Sequence, residues 1–208
     1  MLACLAARPM SPRLDLPLAV AVWLSGFGLL AWTGSWLPLA GLAALAAGRL
    51  VFLDAGTRGL LLPTGLSIAL GLGGAAVMVA ATYLLFPLVV RVVPELRPAT
   101  AELYRLLDQH WPRPALAGLL LLVSASEEIL WRGRALSSGP KWEWARILGC
   151  TALYSAAHAA SGSMLLVALA LVCGLFWAAL RLWGRSLIAP ILAHAAWDLL
   201  VMGWLPLV

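Results

Sequence analysis

The chain has 208 residues, 63% of them hydrophobic and only 11% charged, with a net charge of +5 and a mean hydropathy of +0.96. A soluble domain carries about 25% charged residues, so this composition excludes an ordinary water-soluble enzyme and makes lipid the solvent for most of the surface. The excess charge is arginine lying between apolar runs, with no basic stripe interleaved with exposed aromatics, which excludes nucleic acid as a partner.

Apolar runs of roughly 20 residues recur along the chain, each long enough to cross a hydrocarbon core as a helix. The expected fold class is all-α: a polytopic membrane protein of about seven transmembrane helices. Residues 1–15, with Arg8 and Arg13, read as a short, flexible cytoplasmic lead-in without the pattern of a cleavable signal peptide. The first span is expected over 16–32 and the second over 36–53, followed by a short loop at 54–59. A long run over 60–93 exceeds what one span needs, so its first residues, around Pro63, belong at the interface. Gly71, Gly73 and Gly74 suit close helix approach.

Residues 94–114 form the most polar segment. Within it, Leu103, Leu106 and Leu107 have the spacing of a short amphipathic helix over 101–110 lying on the membrane surface, with Asp108 and His110 on its solvated face. The fourth span is expected over 115–136, the fifth over 144–160, the sixth over 164–182 and the seventh over 186–204, with Arg181 and Arg185 bracketing a turn at Gly184. Tryptophans 32, 36, 142, 144, 183 and 204 fall near span ends, as an aromatic belt requires. Cys4, Cys150 and Cys173 show no metal-ligand spacing, and the last two read as small buried hydrophobes. The chain divides into N-terminal transmembrane helices (1–93), an interfacial segment (94–114) and a C-terminal core (115–208). Counting arginine and lysine by loop favours a cytoplasmic N-terminus and an outside C-terminus, in a bacterial-type inner membrane.

Charge within the spans is the informative exception, because an ionisable group in an apolar span is costly and is retained mainly where it pairs or works. Ser124-Ala-Ser-Glu-Glu-Ile-Leu-Trp-Arg-Gly133 places Glu127, Glu128 and Arg132 directly after an apolar run. His158 lies in the fifth span, and His194 and Asp198 lie in the seventh. Counted at about 1.5 Å per residue from the span ends, Glu127 comes out roughly 18 Å from the outer face and so about 12 Å from the cytoplasmic one, His158 about 18 Å from the cytoplasmic side, and His194 and Asp198 about 12 and 18 Å from Ser186, one layer of a core about 30 Å thick. Glu128 and Arg132 are four residues apart, as are His194 and Asp198, so each pair shares a helix face. Taken alone, Glu128–Arg132 also reads as a packing salt bridge and His158 as a core histidine. Together these groups offer a carboxylate base, a histidine to share a water with it, and a His/Asp pair that could donate to an oxyanion. Desolvation makes a carboxylate a better base, and the reaction suggested is attack of water on an acyl carbon.

At these residues the sequence resembles the CPBP intramembrane proteases, which include the CAAX-processing endopeptidase and bacterial relatives. Glu127-Glu-Ile-Leu-Trp-Arg-Gly133 is similar to that family's EExxxR motif, Tyr154-Ser-Ala-Ala-His158 to FxxxH, and His194-Ala-Ala-Trp-Asp198 to HxxxN/D. The resemblance covers about residues 115–205. It implies a glutamate protease of packed membrane helices around a conical mid-membrane cavity. Glu127 would activate water, His158 would help to hold it, Glu128 would orient the site through Arg132, and His194 and Asp198 would stabilise the oxyanion. Two positions depart from the pattern. Tyr154 stands for phenylalanine and brings a hydroxyl to the cavity. Asp198 stands where asparagine is common, and must be protonated or else orient His194.

The substrate implied is a membrane-anchored protein or peptide, such as a C-terminal sorting tail, met within the lipid bilayer. No cofactor is implied. Two histidines and two carboxylates also make a plausible zinc set, although HExxH is absent. A proton-coupled transporter and a non-proteolytic immunity or scaffold protein are the other readings. The first would show internal repeats, which are not evident, and the second has to explain a complete set of motif residues.

Overall fold

Gly34 ends the first apolar run because it adopts a left-handed conformation, φ 67°, that lets the chain reverse on itself. In the computed structural model, which describes residues 15–107, 111–138 and 142–208, this turn joins α1 (Asp15–Thr33) to α2 (Leu37–Leu53) as an antiparallel pair. The lead-in with Arg8 and Arg13, and also Cys4, Asp108, His110 and Lys141, lie outside the described residues. Then follow α3 (Ala55–Leu60), α4 (Gly65–Val92), α5 (Leu96–Leu107), α6 (Arg113–Glu127), α7 (Glu143–His158), α8 (Met164–Gly184) and α9 (Ile188–Trp197). There is no strand among the described residues. Among the described residues, four helical stretches are long and apolar enough to cross a membrane: Leu16–Thr33, Gly65–Val92, Arg113–Ala135 and Met164–Gly184. Leu37–Leu53 and Ile188–Trp204 are shorter apolar helices. The chain is an integral membrane protein.

The segment at 54–59, expected as a loop, is instead a short helix. Asp54 caps α3, its Oδ2 accepting from the Thr57 amide (2.8 Å) and hydroxyl (2.7 Å), which satisfies first-turn donors. Arg134, from the end of the fourth span, stands 3.6 Å from the same carboxylate. Partial burial raises the Asp54 carboxyl, but the Thr57 bonds and the Arg134 charge outweigh it and hold it below its ordinary value. Arg58 donates to the carbonyls of Val51 and Phe52 (2.9 and 2.7 Å), filling acceptors that the end of α2 leaves open.

Thr64 and Ser67 form a capping box that starts α4 two residues after Pro63. Gly71 and Gly74 let α4 approach its neighbours: a Cβ on Gly71 would stand 2.8 Å from Leu192, and one on Gly74 2.8 Å from Leu180. Gly73 faces open space. The turn after α8 is taken by Arg185, in the left-handed region at φ 48°, rather than by Gly184. Gly184 is helical and lies close against Ala189.

The amphipathic helix sits differently from the expectation. α5 begins five residues earlier, at Leu96, and its apolar face turns to the protein, with Leu103 and Leu107 buried. It is tied down at three points. Trp36 Nε1 donates to the Leu106 carbonyl (3.0 Å), the Tyr104 hydroxyl donates to the Val201 carbonyl (2.8 Å), and the Leu207 amide donates to the Tyr104 hydroxyl (3.1 Å). Trp36 is therefore buried inside the bundle, whereas Trp32, Trp142, Trp144 and Trp183 are exposed.

Candidate active site

The two segments that carry the motif carboxylates change their winding at those residues. α6 ends at Glu127 and continues as a π-helix over Glu128–Ala135, and α9 continues as a π-helix over Asp198–Trp204. Wider i→i+5 turns inside a helix are found mostly at functional sites. Here the change of winding begins between the two adjacent glutamates, which go to different partners.

Glu127 is buried and held on both oxygens. Oε1 accepts from the indole Nε1 of Trp23 on α1 (3.1 Å), and Oε2 accepts from the Tyr154 hydroxyl (2.5 Å). Two imidazoles approach the same carboxylate, His158 Nε2 at 3.8 Å from Oε1 and His194 Nε2 at 3.8 Å from Oε2. His158 Nδ1 lies 2.8 Å from the Tyr154 carbonyl. A carbonyl only accepts, so Nδ1 carries a proton and Nε2 is the atom that faces Glu127.

Glu128 is fully buried. Its Oε1 accepts from Arg132 Nη1 (3.1 Å) and lies 2.9 Å from His194 Nδ1. Its Oε2 has no hydrogen-bond partner among the described residues. The Arg132 guanidinium lies 4.2 Å from the centre of the Tyr154 ring, a cation–π contact, and donates through Nη2 to the Gly174 carbonyl (3.3 Å). A Cβ on Gly174 would stand 3.0 Å from that nitrogen, so α8 passes this close only with glycine there. His194 stacks on Trp177, with ring centroids 3.5 Å apart and planes 15° apart, and its Nε2 is 3.4 Å from Asp198 Oδ2. All six residues singled out in the sequence are thus brought into one connected cluster.

Glu127, His158, His194 and Asp198 line a cavity of about 100 Å³, joined by Tyr154 and otherwise walled by apolar side chains that include Phe27, Leu103, Leu119, Val123, Ala170 and Met202. α5 contributes Leu103 and Leu107 to this wall, which explains why its apolar face turns inward. Among the described residues no three His, Cys, Asp or Glu side chains are arranged as a metal-ligand group.

Sequence reasoning missed Trp23, Gly174 and Trp177, and recorded Tyr154 only as a departure from a motif. The search for ionisable groups inside spans passes over an indole, although a buried Trp N–H usually finds an acceptor. With 11 tryptophans in the chain, nothing local distinguishes Trp23 from others inside spans, such as Trp131 and Trp197. No glycine pattern marks Gly174, because its neighbours come from other helices.

A family model described as type II CAAX prenyl endopeptidase Rce1-like matches residues 109–200. No curated protein and no solved structure matches the chain. The matched stretch contains Glu127, Glu128, Arg132, Tyr154, His158, His194 and Asp198, and stops short of Trp23. Over that stretch the chain is similar to the CAAX-processing membrane proteases.

Proposed function

We propose that the protein is an intramembrane endopeptidase in which Glu127 activates water to hydrolyse a peptide bond near the membrane-anchored end of a protein or peptide. The observation that carries this reading is the Glu127 carboxylate, fixed by one donor on each oxygen and faced by two imidazole nitrogens at 3.8 Å, on the wall of an apolar cavity. A water between Glu127 Oε1 and His158 Nε2 is within hydrogen-bond reach of both. Glu127 takes its proton as the water oxygen bonds to the carbonyl carbon, and the carbonyl oxygen becomes the oxyanion. As the tetrahedral species collapses the C–N bond breaks, and Glu127 returns the proton to the leaving nitrogen. An acid and an amine are released, and Glu127 is again a carboxylate.

The oxyanion is placed against His194 Nε2 and Asp198. His194 Nδ1 donates to the Glu128 carboxylate, so Nε2 donates to substrate only if the ring carries both protons. Arg132 and a doubly protonated His194 balance the charges of Glu127 and Glu128. The buried cluster is then neutral if Asp198 is protonated, and a protonated carboxyl donates to an oxyanion instead of repelling it. Asp198→Asn, which keeps a donor and removes the titration, is therefore expected to retain at least about a third of wild-type kcat. Asp198→Ala is expected to lose roughly a hundredfold, the worth of one oxyanion donor. Equal loss in both variants would show that a carboxylate is required there.

Trp23 acts as a positioning residue. Trp23→Phe keeps an aromatic ring against Trp131, which it meets edge-on at 6.2 Å, and deletes only the donor to Glu127. We expect kcat to fall about tenfold, in line with one hydrogen bond to a charged group, with KM and thermal stability near wild type. Unchanged kcat would remove Trp23 from the site.

In this reading Glu127 and the histidines activate water without a metal, residues 115–208 form the protease core, and about seven spans run from a cytoplasmic N-terminus to an outside C-terminus in a bacterial-type inner membrane. C-terminal sorting tails are the substrate class to offer first, because a small-residue motif ahead of an apolar helix suits an apolar cavity. The test is cleavage of a library of membrane-anchored tail peptides by the purified protein, with and without a strong chelator. Cleavage that survives the chelator is the expected result. Loss in chelator would transfer the chemistry to a metal, and a library left wholly intact would overturn the proteolytic reading.

A further inference from the structure

Among the described residues, Arg58 and Arg134, on the face that the positive-inside count assigns to the cytoplasm, have protein partners, but another pair there is short of them. Arg58 is occupied by the Val51 and Phe52 carbonyls, and Arg134 by Asp54. Arg146 lies in the first turn of α7 and Arg181 in the last turn of α8. The two helices pack together, and the two guanidinium groups are close enough for their like charges to repel. The Nε of each is shut off from solvent, and neither has a hydrogen-bond acceptor among the described residues. Among those residues the ion-pair partner of Arg146 is Glu143, 3.9 Å from its Nη2 and 69% exposed. An ion pair that long and that wet contributes little.

Two half-buried cations held side by side with closed-off donors are costly unless an anion joins them. The edge of a guanidinium formed by Nε and one Nη grips a phosphate in bidentate fashion. The surroundings indicate the source of that phosphate. Trp142, Trp144 and Trp183, at the same ends of the same two helices, are 81%, 76% and 67% exposed. Exposed indoles there are placed as at the headgroup level of a bilayer. Farther along, Leu148 on α7 and Val172 on α8 are exposed apolar side chains that suit acyl chains.

We propose that Arg146 and Arg181 form a binding site for the phosphate of an anionic membrane lipid at the end of the α7–α8 pair. The occupied site relieves the repulsion between the two arginines and braces the helices that carry Tyr154, His158, Gly174 and Trp177. The proposal does not depend on proteolysis, because lipid retention is read directly.

The test offers the full-length protein in detergent an equimolar mixture of phosphatidylglycerol and phosphatidylcholine. Retained lipid is counted by native mass spectrometry, and Tm is followed with each lipid alone and with millimolar inorganic phosphate alone. Preferential retention of phosphatidylglycerol with a raised Tm is expected, and no shift with inorganic phosphate. Affinity should drop at least about fivefold for each arginine replaced in Arg146→Gln and Arg181→Gln, the effect of one basic residue at an anionic surface. Arg97→Gln/Arg113→Gln, which removes equal charge from the opposite face, should keep the preference. Equal retention of the two lipids, a phosphate-induced Tm shift that matches the lipid's, or full retention by Arg146→Gln/Arg181→Gln would each overturn the proposal. Should that double variant fail to fold, the wild-type lipid competition and the phosphate arm still decide.

Discussion

Glu127→Gln is expected to lower kcat for peptide cleavage by at least about a thousandfold, within the range that general-base catalysis supplies, while the protein stays folded. Glutamine matches the shape of the carboxylate and retains one oxygen to accept from either Trp23 or Tyr154. It places an amide N–H₂ against the other donor, so a cost of about 1–3 kcal/mol in stability accompanies the loss of the base. Turnover is measured by chromatography of a cleaved tail peptide, and folding by Tm and gel filtration in the same detergent. A folded Glu127→Gln protein that keeps a tenth or more of wild-type kcat would move the base to another residue. His158 would then be the first to examine, because its Nε2 faces the same space.

Arg132→Met is expected to have the largest effect on stability. Arg132 and Glu128 are 1% and 0% exposed and 3.1 Å apart. Removing one partner of such a pair leaves the other charge buried, which costs about 3–5 kcal/mol, whereas removing both is often close to neutral. The double variant Glu128→Gln/Arg132→Met should therefore recover more than half of the Tm lost in Arg132→Met. It should remain inactive, because Glu128 also holds His194 Nδ1 and glutamine does not stabilise the imidazolium as a carboxylate does. Thermal melts of wild type, Glu128→Gln, Arg132→Met and the double variant, read as a double-mutant cycle, supply the coupling. A single variant that melts within a degree or two of wild type would reduce this pair to a contact of no energetic weight.

Much of this protein is legible in its sequence for a reason particular to membranes. Charge is so costly in an apolar span that its rare occurrences stand out, and the fixed rise per residue of a helix converts position in a span into depth. Those two constraints pick out Glu127, Glu128, Arg132, His158, His194 and Asp198 from the chain, together with its all-helical character. The spacing of four residues then pairs Glu128 with Arg132 and His194 with Asp198, because both contacts lie within one helix and need no tertiary information.

What the sequence leaves open is every contact whose partner lies on another helix and carries no charge. The donors to Glu127 come from α1 and α7, and an indole or phenol in an apolar run has the same local signature whether it meets a carboxylate or lipid. The apolar face of α5 satisfies burial equally well against a bilayer or against a cavity wall, and only the docked positions of Trp36, Tyr104 and Val201 decide for the wall. Gly71 and Gly73 are indistinguishable in sequence, and only the approach of Leu192 makes the first necessary. The π-turns at Glu128 and Asp198 leave no trace in hydrophobic periodicity, since they result from backbone hydrogen bonds that shift to suit the packed side chains. The sequence thus determined which chemical groups are present and which of them share a helix face, because those follow from solvation cost and helix geometry. Their hydrogen-bond partners were decided only by tertiary packing, because neutral donors and close helix approaches have no energetic signature until the helices meet.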